Sequence, residues 1–247
     1  MKKNHTRPVL RGLAAAAVVI GILAIPTASP SSAATTSWPL RFSENFTSTA
    51  ISSSWAVLDG NTDPHYWSKD RVRQHDGMLT LRTAWNSATG HWESGSVVLK
   101  GNSQAYGGYA IRMRCSKGYS KCLALLWPDA PVWPPEIDFY EIFAKDINRT
   151  SSKQTLHYTK VDGSHGMHAA TQSADFTQWH TVSVWWQPGK ITYKLDGVIT
   201  ATMTADVPVA PMHLTVSTSV SVQDGAPQPT GPVYMDLDWV RVYDYPG

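Results

Sequence analysis

The chain has 247 residues, 42% hydrophobic and only 16% charged, which supplies enough apolar material for a sizeable core and excludes an intrinsically disordered chain. Its formal charge of +2 comes from 21 basic and 19 acidic residues, but Lys2, Lys3, Arg7 and Arg11 lie in a leader without acidic residues, so the remainder holds 17 against 19, or −2. That balance gives no reason to expect a nucleic acid, membrane or other polyanionic partner, and suits a neutral substrate. Behind the basic residues come an apolar run from Gly12 to Ile25 and the small residues Ser32-Ala33-Ala34. This order predicts a secretory signal peptide over residues 1–34, one domain over 35–247, and a secreted, extracellular monomer. The apolar run is shorter than the ~20 residues of a membrane helix.

From about Trp38 onward short segments rich in Val, Thr, Tyr and Trp alternate with Gly, Pro and Asn turns, and no helical period persists. The spacing predicts an all-β sandwich of two antiparallel sheets. Cys115 and Cys122 are the only cysteines. In an exported chain they are expected to form a disulfide, drawn as a clamp across the neck of one hairpin, with two buried free thiols as the alternative. Trp127 and Trp133 then lead into Glu136-Ile137-Asp138-Phe139-Tyr140-Glu141, which holds two of the four glutamates. On a strand Glu136 and Asp138 share one face. Strict alternation would put Tyr140 beside them, so Glu141 joins the acids only if one residue bulges near Phe139 or Tyr140. Carboxylates this close hold at least one proton among them near neutral pH. Indole rings beside them suit a sugar-binding cleft. Farther on, His165 and His168 lack the spacing and companions of a zinc site. Asp196-Gly197, set between Ile191–Leu195 and Val198–Thr200, predicts a tight hairpin.

Glu-Ile-Asp-Phe-Tyr-Glu at 136–141 resembles the Glu-x-Asp-x-x-Glu signature of glycoside hydrolase family 16. The similarity continues, in order, through Phe42–Phe46, Asp76–Leu81, Tyr106–Tyr109 (similar to the strand that starts the cleft-forming sheet), Trp179–Val182, Trp186–Gly197 and Tyr234–Tyr243. The resemblance implies a concanavalin-like jelly roll with its substrate cleft along the concave sheet. It also implies a retaining endo-hydrolase with Glu136 as nucleophile, Glu141 as acid/base and Asp138 as the proton-holding carboxyl between them. The bulged spacing resembles the laminarinase-like branch, so internal β-1,3 bonds of β-glucans are the expected target, followed by mixed β-1,3-1,4-glucan. Transglycosylation, hydrolysis of another polysaccharide such as agarose, and non-catalytic glucan binding remain the rival readings.

By the same resemblance Trp133 is a stacking platform and Glu93 a sugar ligand. Leu156–Thr159 is read as the strand beside the catalytic one, and His157 or Tyr158 faces the cleft, since alternation admits only one. Many members carry Arg near the position of Gly95 and Ser96, and Gly before the first catalytic glutamate, where this chain has Pro135. No cofactor is expected for catalysis. A structural Ca²⁺ between Gly77 and Asp238, on the convex side, is the one metal the resemblance suggests.

Overall fold

The computed structural model describes residues 37–62, 65–220 and 225–247. The expected leader at 1–34 lies outside them. Among the described residues there are 18 strands, β1 to β18 in chain order, and a single short 3₁₀ turn at Lys69–Arg71. Seven strands form the sheet that carries the cleft: β2 (Trp55–Val57), β8 (Ser96–Leu99), β10 (Lys121–Pro128), β11 (Glu136–Ile142), β12 (Ser151–Thr159), β13 (His165–Ser173) and β17 (Met212–Ser219). They run in the order β13-β12-β11-β10-β17-β8-β2. The back sheet has nine: β1 (Leu40–Glu44), β5 (Val72–His75), β6 (Met78–Asn86), β7 (His91–Glu93), β9 (Gly107–Cys115), β14 (His180–Gln187), β15 (Lys190–Leu195), β16 (Val198–Met203) and β18 (Val233–Tyr243). The remaining β3 (Gly60–Thr62) and β4 (His65–Trp67) pair with each other as a two-stranded sheet.

Alternation decides which side chains meet between the sheets. From β10 Cys122, Ala124 and Leu126 point inward, from β17 Met212, Leu214 and Val216, and from the facing sheet Leu79, Leu81, Ile111, Val182, Val184, Leu237 and Val240, all fully buried. Full burial of one large aliphatic side chain stabilises by about 1.5–3 kcal/mol, so this double layer fixes the register of each strand. The expected hairpin at Asp196-Gly197 joins β15 to β16, with Leu195 opposite Val198. Both turn residues have positive φ, +50° and +83°, as a two-residue turn of this hand requires.

Two expectations need correction. Tyr106–Tyr109 leads into β9, which pairs with β14 and β18 and so belongs to the back sheet, not to the cleft sheet. The disulfide between Cys115 and Cys122 is present, but it does not clamp a hairpin. Cys115 ends β9 in the back sheet and Cys122 stands in β10 of the cleft sheet, so the bridge ties the two layers together where the chain crosses from one to the other.

Candidate active site

β11 lies third from one edge of its sheet, between β10 and β12. Against β12, Glu136 faces His157, Asp138 faces Thr155 and Glu141 faces Lys153. Three steps along β11 therefore match two along β12, and one residue is extra. Phe139 and Tyr140 absorb it. Both turn into the core, at 1% and 0% exposure, and the Tyr140 ring meets Phe176 edge-on at 5.4 Å. Two consecutive inward side chains reset the phase, so Glu141 emerges on the same face as Glu136 and Asp138. All three line a cleft of about 700 Å³.

The electrostatics follow from burial. Glu136 is 9% exposed and Asp138 3%. Loss of water pushes both carboxyls well above the usual carboxylate range, and neighbouring negative charge adds to the effect: Asp138 acts on Glu136, and Glu141 acts on Asp138. The pair thus retains a proton at neutral pH. Trp133 Nε1 donates to Glu136 Oε2 at 2.6 Å, which favours the ionised form of Glu136. On the other side, His157 Nε2 lies 3.1 Å from Asp138 Oδ2, and His157 Nδ1 lies 2.8 Å from His165 Nε2. The His165 ring packs against the Trp133 ring at 4.7 Å, so hydrogen-bonding and ring contacts together surround the two buried acids. Glu141 has a different environment: Lys121 Nζ is 3.3 Å from Oε1, and the Glu141 backbone N–H donates to Ser152 Oγ.

A model of glycosyl hydrolases family 16 matches residues 60–241. The chain belongs to this family. It is accordingly a glycoside hydrolase. Among curated relatives, a beta-glucanase of Paenibacillus polymyxa is 29% identical over 202 residues, spanning 77% of this chain and 82% of the relative. One from Paenibacillus macerans is 30% identical over 202 residues, spanning 76% and 82%. Among solved structures, the catalytic domain of the Thermotoga maritima laminarinase superposes with a TM-score of 0.73 at 19% identity, covering 85% of this chain and 99% of that one. The Bacillus licheniformis beta-glucanase gives 0.72 at 20% identity, covering 84% and 99%.

In this family 16 chain the remaining candidates divide. Trp133 lines the cleft with much of its ring exposed, and His157 lines it too. Tyr158 does not. Leu156 on its side of β12 is fully buried in the core, so Tyr158 points away from the cleft and stacks on His168 at 4.8 Å. Glu93 is also absent from the cleft wall. Its carboxylate is taken by Arg71 at 2.8 Å and by Asn86 at 2.7 Å, a buried structural pair. At Gly95 itself an Arg is sterically excluded, because a Cβ there would collide with the Arg71 backbone carbonyl. Asp238 does not stand ready for Ca²⁺ either, since its carboxylate accepts the Arg112 guanidinium, while Gly77 is the positive-φ corner of the β5–β6 hairpin. Among the described residues no group of three or more His, Cys, Asp or Glu could hold a metal ion. Sequence reasoning missed Lys121, Lys153, Thr155 and His165 as site residues. The register of β10 and β12 on either side of β11 would have found the first three by parity. His165 depends on the β12–β13 turn and carried no such signal.

Proposed function

We propose that the protein is a secreted, retaining endo-β-glucanase that cleaves internal β-1,3 bonds, or mixed β-1,3-1,4 bonds, of a neutral glucan. One observation carries the reading: three carboxylates share one face of β11, two of them buried, in a cleft with exposed indoles. Glu136 and Glu141 oppose residues four apart on β12, which sets their α-carbons roughly 13 Å apart. Two glutamates leaning toward each other over Asp138 close that gap toward the ~5–5.5 Å of a retaining pair, too narrow for an intervening water. Aspartates would be too short.

In this mechanism Asp138 keeps the shared proton and Glu136, supported by the Trp133 N–H, attacks the anomeric carbon. Glu141 takes up a proton before the step and gives it to the leaving oxygen as that bond breaks, and Lys121 then faces the charge left behind. A water deprotonated by Glu141 afterwards displaces Glu136 from the covalent glycosyl-enzyme, restoring the β configuration. The curated relatives named beta-glucanase support the substrate class. The bulged spacing favours β-1,3 bonds.

A reducing-sugar assay on laminarin, lichenan, agarose, carrageenan and xyloglucan tests the substrate, with release expected from the first two. Proton NMR of the first product formed tests stereochemistry, and an initial α anomer would refute retention. Glu136→Gln should abolish turnover while glucan binding and fold persist, which also separates an enzyme from a glucan-binding protein.

A further inference from the structure

The low overall charge of the mature chain conceals a strongly basic groove on the face opposite the cleft. On β6, Leu79 and Leu81 are core residues, so Thr80 and Arg82 point outward from the back sheet. Cross-strand register then aligns Arg73 with Thr80, Thr80 with Asp236 and Asp236 with Arg114, one row over β5, β6, β18 and β9. The next row places Arg82 opposite Tyr234. These side chains, with Arg71 and Lys117, line a groove of about 690 Å³. Two of the cations are already neutralised, Arg114 by Asp236 at 2.9 Å and Arg71 by Glu93 at 2.8 Å. Arg73, Arg82 and Lys117 have no ion pair within 4 Å among the described residues, although the charge of Lys117 helps to lower the nearby Asp175 carboxyl, and the only other acid lining the groove is Asp70.

A fold does not need three unpaired cations converging on one concavity, because their mutual repulsion costs stability unless an anion relieves it. Four strands at ~4.8 Å spacing make the row roughly 14 Å long, room for a short run of sugar units and not for a single small ion. Tyr234, 38% exposed, adds an apolar ring face beside guanidinium forks that match planar, bidentate anions. We propose that this groove is a second polysaccharide site, which binds an acidic polymer through its carboxylate or sulfate groups and thereby anchors the enzyme with its cleft facing outward. The proposal does not depend on which glucan the cleft hydrolyses.

The test is titration of the mature protein with four labelled probes: an oligogalacturonate, a heparin-derived oligosaccharide, a laminarin oligosaccharide and a short DNA duplex. Arg73→Ala, Arg82→Ala and Lys117→Ala are combined in one variant, and Arg73→Glu with Lys117→Glu in a second that touches only exposed positions. At least one acidic oligosaccharide should bind, more weakly as salt shortens the screening length, and each variant should lose roughly tenfold or more in affinity. Melting temperature should not fall, and glucan turnover should be unchanged. The better of the two acidic probes identifies the anion. Failure of both acidic probes, equal binding of the laminarin oligosaccharide, unchanged affinity in the second variant, or tighter binding of DNA than of either acidic oligosaccharide would each overturn the proposal.

Discussion

Asp138→Asn is expected to stabilise the protein at neutral and alkaline pH while slowing its chemistry. Asp138 is 3% exposed, beside Glu136 at 9%, and burial followed by the charge of Glu141 pushes its carboxyl upward. A carboxyl whose folded value is raised binds its proton longer in the folded than in the unfolded state. Stability therefore falls as pH rises from the ordinary aspartate value of 3.8 toward the raised folded value, and is level beyond it. Each pH unit of that interval costs about 1.36 kcal/mol, which makes ~4 kcal/mol an upper bound at pH 7. Asn keeps the shape and can still donate to Glu136 without this cost. The coupling within the pair argues for a gain of ~2–4 kcal/mol near pH 8, shrinking below ~2 near pH 5. For a domain of this size that is roughly 5–10 °C in melting temperature at the higher pH. Turnover should fall about ten- to hundredfold, at or below the 10²–10⁴-fold associated with losing a general acid. Thermal melts of both proteins across this pH range, with kcat on a soluble glucan, measure it. Parallel pH profiles of melting temperature, or a variant less stable at pH 8, would refute the shared-proton account.

Glu141→Ala should be nearly inactive on polysaccharide yet retain the first step on a dinitrophenyl glycoside, whose leaving group needs no protonation. Added azide should then yield a β-glycosyl azide, and its absence from a folded variant would move the acid role elsewhere. The disulfide predicts no free thiol in denatured, unreduced protein. Its replacement by Cys115→Ala with Cys122→Ala should cost no more than ~3 kcal/mol of loop-closure stabilisation beyond the packing lost, leaving the protein folded. Because Arg112 neutralises Asp238, EDTA should leave the melting temperature unchanged and added Ca²⁺ should not raise it. A rise of several degrees with Ca²⁺ would show that the ion displaces the guanidinium.

Parity made the reacting strand readable in advance. An acid at an odd offset from two others can share their face only if one residue is extra, and the phase change at Phe139 and Tyr140 is where that argument puts it. Features that depend on which sheet a strand joins were not readable. The six residues between Cys115 and Cys122 serve equally well as a hairpin turn or a crossing between layers, and the choice is made by β14, β18, β11 and β17, whose sequences lie elsewhere. Glu93 was misjudged for a similar reason, since its partner Arg71 is separated from it in sequence by β5 and β6 and meets it only in the folded chain. Which of His157 and Tyr158 faces the cleft is decided by the burial of Leu156, which the local sequence does not reveal. The basic groove was invisible to any count of charge, because its members are scattered from Arg71 to Lys117 and converge only in the folded sheet.

The two adjacent inward aromatics of β11 link the interior to the reaction in a way that matters for engineering. Phe139 and Tyr140 hold the phase shift from beneath, so the placement of Glu141 depends on how well those rings are seated among residues no sugar touches. A campaign that selects repacked interiors by heat resistance alone would accept sequences whose strand has slipped back into simple alternation, well folded and with the acid rotated out of reach. Selection on turnover, with melting temperature as the second criterion, would discard them.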